Sequence, residues 1–280
     1  MIRSRHELKY LVTEAQAVAI AECIRPFMRP DRHSTTGGAY SLVSLYLDSD
    51  DLRLCRETLE GIKNRFKLRI RSYSDDPDAP CFFEIKRRVN QVIVKSRARV
   101  PRGLAGPLLA DAARPSVVGS DEYKNLTQFL YYRQQIHAGP VVRVRYFRQA
   151  FESRFADDVR VTIDRQLSLR ITRTLELGRD GSGWQRWPGR GVVLEIKFTH
   201  GYPAWVSRLV QQFGLQAQSM SKYVRLLTHA SALRFCAPAV QPKVACQAVE
   251  AMHQGRRCGV NPDLQVTQRG DSDGPIVAFA

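Results

Sequence analysis

Apolar and polar residues alternate along much of this chain. In RFKLRIRSY (65–73), Lys67, Arg69 and Arg71 stand between Phe66, Leu68 and Ile70. A period of two predicts a strand with one apolar and one cationic face. Alternating or β-rich runs predict strands over residues 3–11, 39–49, 64–73, 80–88, 91–100, 140–151, 158–165, 167–174 and 192–199. Helical spacing takes over between them. Thr13 is a candidate N-cap for a helix carrying Val18, Ile20, Ala21 and Ile24. Residues 50–61 read as a short helix closed by Gly61, and 101–113, 121–135, 203–213 and 219–230 also read as helices. DDPDAP (75–80), the corner at Arg88, Val89 and Asn90, and residues 30–38 and 178–191 supply turns and loops. About nine strands with scattered helices predict an antiparallel, β-rich α+β domain. The pattern fades after Leu233, so 1–233 is expected to form the domain and 234–280 a largely disordered tail, with a short helix near 244–253.

The residues on the polar faces sharpen this picture. Same-face neighbours on a strand lie about 7 Å apart. The successive faces carry Arg5, Glu7 and Lys9; Lys67, Arg69 and Arg71; Glu84 and Lys86; and Lys95, Arg97 and Arg99. Further along come Tyr146 and Arg148, then Arg160, Thr162 and Asp164, then Glu195 and Lys197. One such strand is ordinarily a solvated face. Several in one domain fit a closed barrel with a wet, charged lumen and helices packed outside. The whole chain is basic, with 43 Lys and Arg against 27 Asp and Glu and a formal charge of +16. Such a balance calls for a polyanionic partner or surface. A lumen ringed by Arg and Lys suits phosphate, because guanidinium forks match its oxygens in pairs. The few carboxylates among them suit Mg²⁺ or Mn²⁺, which bridge carboxylate and phosphate oxygens.

Other chemistries find little support. There is no P-loop, no H-E-x-x-H and no G-x-S-x-G. The six cysteines show neither C-x-x-C nor zinc spacing and are expected to be reduced thiols in the cytoplasm. No run of about 18 apolar residues exists, and the N-terminus lacks the apolar segment of a secretory signal. No specific nucleic-acid motif is present, and aromatic residues are not interleaved with the basic ones as a base-stacking platform requires.

Nine short segments occur in a telling order: RHELKYLV, YSLVSLYLDSDDL, GIKNRFKLRIRSY, FFEIKRR, VKSR, VRYFRQAF, VRVTIDRQL, VVLEIKF and SKY. Together, over residues 3 to about 228, they resemble the VTC domain, the catalytic domain of the vacuolar transporter chaperone polyphosphate polymerases and their bacterial relatives. That domain belongs to the triphosphate tunnel metalloenzyme superfamily. The resemblance implies an antiparallel eight-stranded β-tunnel with helices around it. It also implies that Arg69, Arg71, Arg148, Arg160 and Lys222 act on the reacting phosphates, and that Lys9, Lys86, Lys95, Tyr146 and Ser221 bind phosphate. Lys197 joins them by its spacing beside Glu195, and Glu195 matches the family's ligand for Mn²⁺ or Mg²⁺.

The activity so implied is transfer of the γ-phosphate of ATP to a growing inorganic polyphosphate chain, with pyrophosphate as a primer. Positioning and charge neutralisation would dominate, and no protein nucleophile is required. Two alternatives stay open: a metal-dependent triphosphatase of the same superfamily, and a non-catalytic polyphosphate-binding module. The triphosphatases carry E-x-E-x-K in the first strand; Arg5 replaces its first glutamate here, which favours the polymerase branch. Membrane-bound members of the family add a phosphoinositide-like sensor domain and transmembrane helices. Neither is read in this chain, so a stand-alone catalytic domain is expected, and a membrane-protein partner would have to supply any coupling to translocation.

Overall fold

The computed structural model describes residues 6–232 apart from 35–37, 91, 156–158, 190 and 200. The tail with its helix near 244–253, Arg5, and Cys236, Cys246 and Cys258 lie outside the described residues. The elements run β1 (His6–Val12), α1 (Glu14–Cys23), β2 (Met28–Pro30), β3 (Tyr40–Asp48), α2 (Arg53–Leu59), β4 (Arg65–Ser72), β5 (Cys81–Val89) and β6 (Val92–Val100). Then come α3 (Ala105–Leu109), α4 (Ser120–Gln135), β7 (Gly139–Ser153), β8 (Arg160–Ile171), β9 (Gln185–Arg186), β10 (Val192–Phe198), α5 (Ala204–Gln212) and α6 (Lys222–Ala232). Local chemistry explains several boundaries. Thr13 Oγ1 accepts from Gln16 N at 3.1 Å while the Gln16 side chain accepts from Thr13 N at 3.0 Å, a capping box that starts α1. Gly61 at φ +72° ends α2, with Ile62 N donating to Glu57 O and Gly61 N to Thr58 O.

All pairings are antiparallel, and the main path through the sheet is β1-β10-β8-β7-β3-β4-β5-β6. This eight-stranded sheet curls into a half-barrel. Among the described residues its end strands β1 and β6 share no register pairs, but the cup is joined across by Lys86 Nζ of β5, 2.7 Å from Glu7 Oε2 of β1. The expected strands at 158–165 and 167–174 are one strand, β8, with a bulge. Gln166 takes φ +52°, and the register jumps from Arg145↔Ser168 to Phe147↔Arg165. Without the extra residue, Leu167 and Leu169 would stay in step with Val161 and Ile163 on the outer face.

The alternation is used as the sequence implies. The outer faces of β3–β6 bury Leu45, Leu68, Ile70, Phe83 and Ile85 against Leu108 of α3 and Leu126 and Phe129 of α4. The outer faces of β1, β8 and β10 bury Tyr10, Val161, Ile163 and Ile196 against Ile20 of α1 and Val206 and Leu209 of α5. Leu68 and Ile70 are fully buried, each contributing about 1.5–3 kcal/mol relative to exposure. A one-residue slip of β4 would put Lys67 and Arg69 there instead, so its register is strongly specified.

One helix works on the inside. Tyr223, Val224, Leu226 and Leu227 of α6 pack on Leu42, Val142, Val144, Leu167, Leu169 and Val193. By strand periodicity Val144 and Val193 share the faces of Arg148 and Glu195. The inner face is therefore apolar and plugged at one end and charged at the other. No helix among the described residues is long and apolar enough to cross a membrane.

Candidate functional site

The charged half of the inner face encloses a cavity of about 890 Å³. Among the described residues, thirteen lysines and arginines and three glutamates line it. Every residue expected at the site is there. β1 contributes Lys9, β4 Arg69 and Arg71, β5 Lys86, and β6 Lys95. From the other wall come Tyr146 and Arg148 of β7, Arg160 of β8, and Glu195 and Lys197 of β10. Ser221 and Lys222 enter at the start of α6. A smaller cavity of about 230 Å³ shares Glu7, Lys9, Lys67, Lys86 and Ser221 with the first and adds Arg65, Arg87 and Arg88.

Carboxylates set among the cations hold them apart. Glu84, 1% exposed, sits under Arg69 Nη2 at 2.6 Å, Lys95 Nζ at 2.7 Å and Arg97 Nε at 3.4 Å. Burial opposes its ionisation, but Arg69, Arg71 and Lys95 outweigh that and hold the carboxyl well below its usual range. Asp164 forms a two-point pair with Arg148, both contacts at 2.7 Å. Lys222 Nζ bridges Asp164 Oδ2 at 2.7 Å and Glu195 Oε1 at 2.8 Å, while Lys197 Nζ takes Glu195 Oε2 at 2.6 Å. Against the effect of burial, Lys197 and Lys222 keep Glu195 ionised, and Asp164 and Glu195 in turn keep the Lys222 ammonium charged. Glu7 lies 2.7 Å from Lys86 and 3.3 Å from Lys9; these two overcome burial and pull its carboxyl down to about 2.

Arg71 and Lys67 lack such a partner among the described residues. Arg71, 4% exposed, donates to hydroxyls, Ser44 Oγ at 3.1 Å and Tyr146 Oη at 3.2 Å, and also bonds the Tyr73 side chain. Lys67 Nζ donates to Ser221 Oγ at 2.9 Å, and burial together with Lys9 and Lys86 pushes its ammonium down to about 7. Ser221 Oγ also accepts from Val224 N at 3.4 Å, so it caps α6 while facing the cavity. The positive end of that helix adds to the same field. The cavity thus has charge and donors for several phosphate groups.

A family model for the VTC domain matches residues 4–229. The chain belongs to the VTC domain family. A search of curated protein sequences finds no match. Among solved structures, the PH1819 protein from Pyrococcus horikoshii OT3 is similar over 81% of this chain and 99% of its own, with 12% identity and a TM-score of 0.42. That likeness is too slight to carry an argument; the architecture rests on the sheet itself. Family membership implies a polyphosphate-related function and an enzyme of the tunnel superfamily.

No three His, Cys, Asp or Glu residues converge to hold a metal ion among the described residues of this VTC domain. Glu195 nonetheless fits a divalent ion delivered with phosphate. Each of its oxygens accepts one ammonium and retains a second lone pair, and Mg²⁺-type ions commonly take one or two carboxylates and complete their shell with phosphate and water. Sequence reasoning put Glu84 and Asp164 on the inner faces without assigning them a role. It did not single out Asp31, whose Oδ2 lies 2.8 Å from Arg160 Nη2, because that residue sits in a loop where no periodicity marks it. It also passed over Tyr46, Tyr40, Tyr73, Phe82 and His33, which come to the cavity from separate segments.

Proposed function

We propose that this VTC domain is an ATP-dependent polyphosphate polymerase. The observation that carries the reading is the excess of cations over carboxylates along the cavity wall. Arg71 is buried without a carboxylate, and Lys67 with Lys9 and Lys86 continues the cationic row into the second cavity, leaving room for an anion longer than one triphosphate. Arg69, Arg71, Arg148 and Arg160 would hold the γ-phosphate, with Lys222 and Ser221 donating from the start of α6. Lys9, Lys86, Lys95, Lys197 and Tyr146 would bind the flanking phosphates. Glu195 would hold Mn²⁺ or Mg²⁺, which when bound offsets phosphate charge. A terminal oxygen of the acceptor chain attacks the γ-phosphorus in line. The bond to the β-phosphate breaks, ADP leaves, and the chain is one phosphate longer. The carboxylates serve this step by keeping the arginines parted and oriented, so that little reorganisation accompanies charge development. A cytoplasmic location, where ATP is available and thiols such as Cys55 and Cys81 stay reduced, belongs to the same proposal.

The test is to incubate the protein with ATP and Mn²⁺, with and without pyrophosphate, and to resolve the products on a gel beside a phosphate-release assay. A ladder of chains with ADP supports the polymerase. Free phosphate without a ladder assigns the triphosphatase, and neither product with protection from heat by polyphosphate assigns the binding module.

A further inference from the structure

The two ends of the cavity differ in chemistry. Along β4 the inward residues run Lys67, Arg69, Arg71 and then Tyr73 just past the strand. Lys67 belongs to the end that opens into the smaller cavity. Tyr73 is six residues away, about 20 Å by the rise of a strand. Three further rings surround it. His33 lies almost parallel to Tyr73, at 15° with centroids 6.0 Å apart. Tyr40 is 6.0 Å from His33 and 6.4 Å from Tyr73, and Phe82 stands edge-on to Tyr73 at 5.6 Å. The Arg97 guanidinium lies 3.6 Å from the centroid of Phe82 and 5.7 Å from that of Tyr73.

These rings are tied to the phosphate-facing cations. Asp31 accepts from Arg160 through Oδ2, and the same oxygen accepts from Tyr40 Oη at 3.3 Å. Asp31 Oδ1 accepts from His33 N at 3.1 Å and from Ser34 N at 2.9 Å, which fixes the loop that presents the imidazole. Rings that served only as rim packing would bury their faces in the core. Tyr40 and Tyr73 do rest on the inner core, but His33 is exposed, and all four rings line the cavity. A chain of phosphates alone gains nothing from an aromatic face. A base does, because every base has a π-face that stacks on rings and on guanidinium planes.

We propose that this ring-lined mouth is a nucleobase subsite: it stacks the base of the donor nucleoside triphosphate while Arg71, Arg148 and Arg160 hold the phosphates one strand step deeper. The proposal rests on the reading of ATP as the donor. It orients that donor, with the base at the Tyr73 end and the γ-phosphate directed toward Lys67 and Lys86.

Calorimetric affinities for ATP and for inorganic tripolyphosphate, which has no base, test it on the intact protein. Tyr73→Leu and His33→Ala are each expected to weaken ATP binding about tenfold, the loss typical of one stacked base, with far less effect on tripolyphosphate. Tyr73→Phe keeps the ring and should restore ATP binding. Equal losses for both ligands would overturn the proposal, since Tyr73 would then act through Arg71; so would no loss for either. If Tyr73→Leu does not fold, the exposed His33 decides the matter alone. The gel assay separates this idea from the polymerase reading. A ladder from ATP with equal losses removes the subsite and leaves the polymerase; a selective loss without a ladder keeps the nucleotide site and removes the polymerase.

Discussion

Glu84 gives the sharpest test of how the cavity is held open. Glu84→Gln keeps the shape of the side chain and removes one buried negative charge. Three cations then lose a shared partner, but not equally. Lys95 and Arg97, with side chains 45% and 39% exposed, recover much of their hydration, whereas Arg69 at 20% does not. Stranding one partner of a buried pair costs about 3–5 kcal/mol. With only Arg69 fully stranded, the lower end applies, about 3 kcal/mol. For a domain of this size that is a fall in Tm of about 6–12 °C, read by differential scanning calorimetry without ligand. Tripolyphosphate should then raise the Tm of the variant more than that of the wild type, because it returns the missing negative charge. Acid should narrow the gap. The Glu84 carboxyl titrates well below its ordinary 4.5 in the fold, so its stabilisation is complete above that value and is lost as the pH falls toward the folded-state pKa. A loss below about 1 kcal/mol, the worth of a solvated surface pair, would refute the view that Glu84 organises the cations.

Two further outcomes are expected. Burial and its lysine neighbours push the Lys67 ammonium down to about 7 in the fold against 10.5 when unfolded, so between these values the unfolded chain holds more protons and the ligand-free protein gains stability as pH rises; Lys67→Met should reduce that gain in a Tm-against-pH series and leave the share of Lys95, which burial also lowers to about 7. The same titration should make tripolyphosphate affinity fall through pH 7 in the wild type and less steeply in the variant. Glu195→Gln should weaken Mn²⁺ binding, titrated calorimetrically at saturating tripolyphosphate, by at least the about 10–100-fold that losing an outer-shell partner costs. An unchanged Mn²⁺ titration would take Glu195 out of the metal's shell.

Much of this protein could be read from its alternation. A period of two is local, so the chain alone places Lys67, Arg69 and Arg71 on one face and Leu68 and Ile70 on the other, whatever else the fold does. The same reasoning found the inward residues of β1, β5, β6, β7 and β10, and the residues picked out with the family's motifs line one cavity. It stumbled where a strand changes phase. The bulge at Gln166 returns Leu167 and Leu169 to the inner face, and no periodic pattern survives an inserted residue. Partners across strands were equally out of reach. Glu7 meets Lys86 although β1 and β5 are not neighbours in the sheet, and Lys222 bridges Asp164 to Glu195 only because α6 fills the opposite end of the curl. The ring-lined mouth shows the same limit, since His33, Tyr40, Tyr73 and Phe82 come from four separate stretches. Which residues share a face is a property of a few consecutive peptide units; which faces look at one another depends on register and curl, and those are set by long-range pairing and packing that act only once the whole sheet has formed.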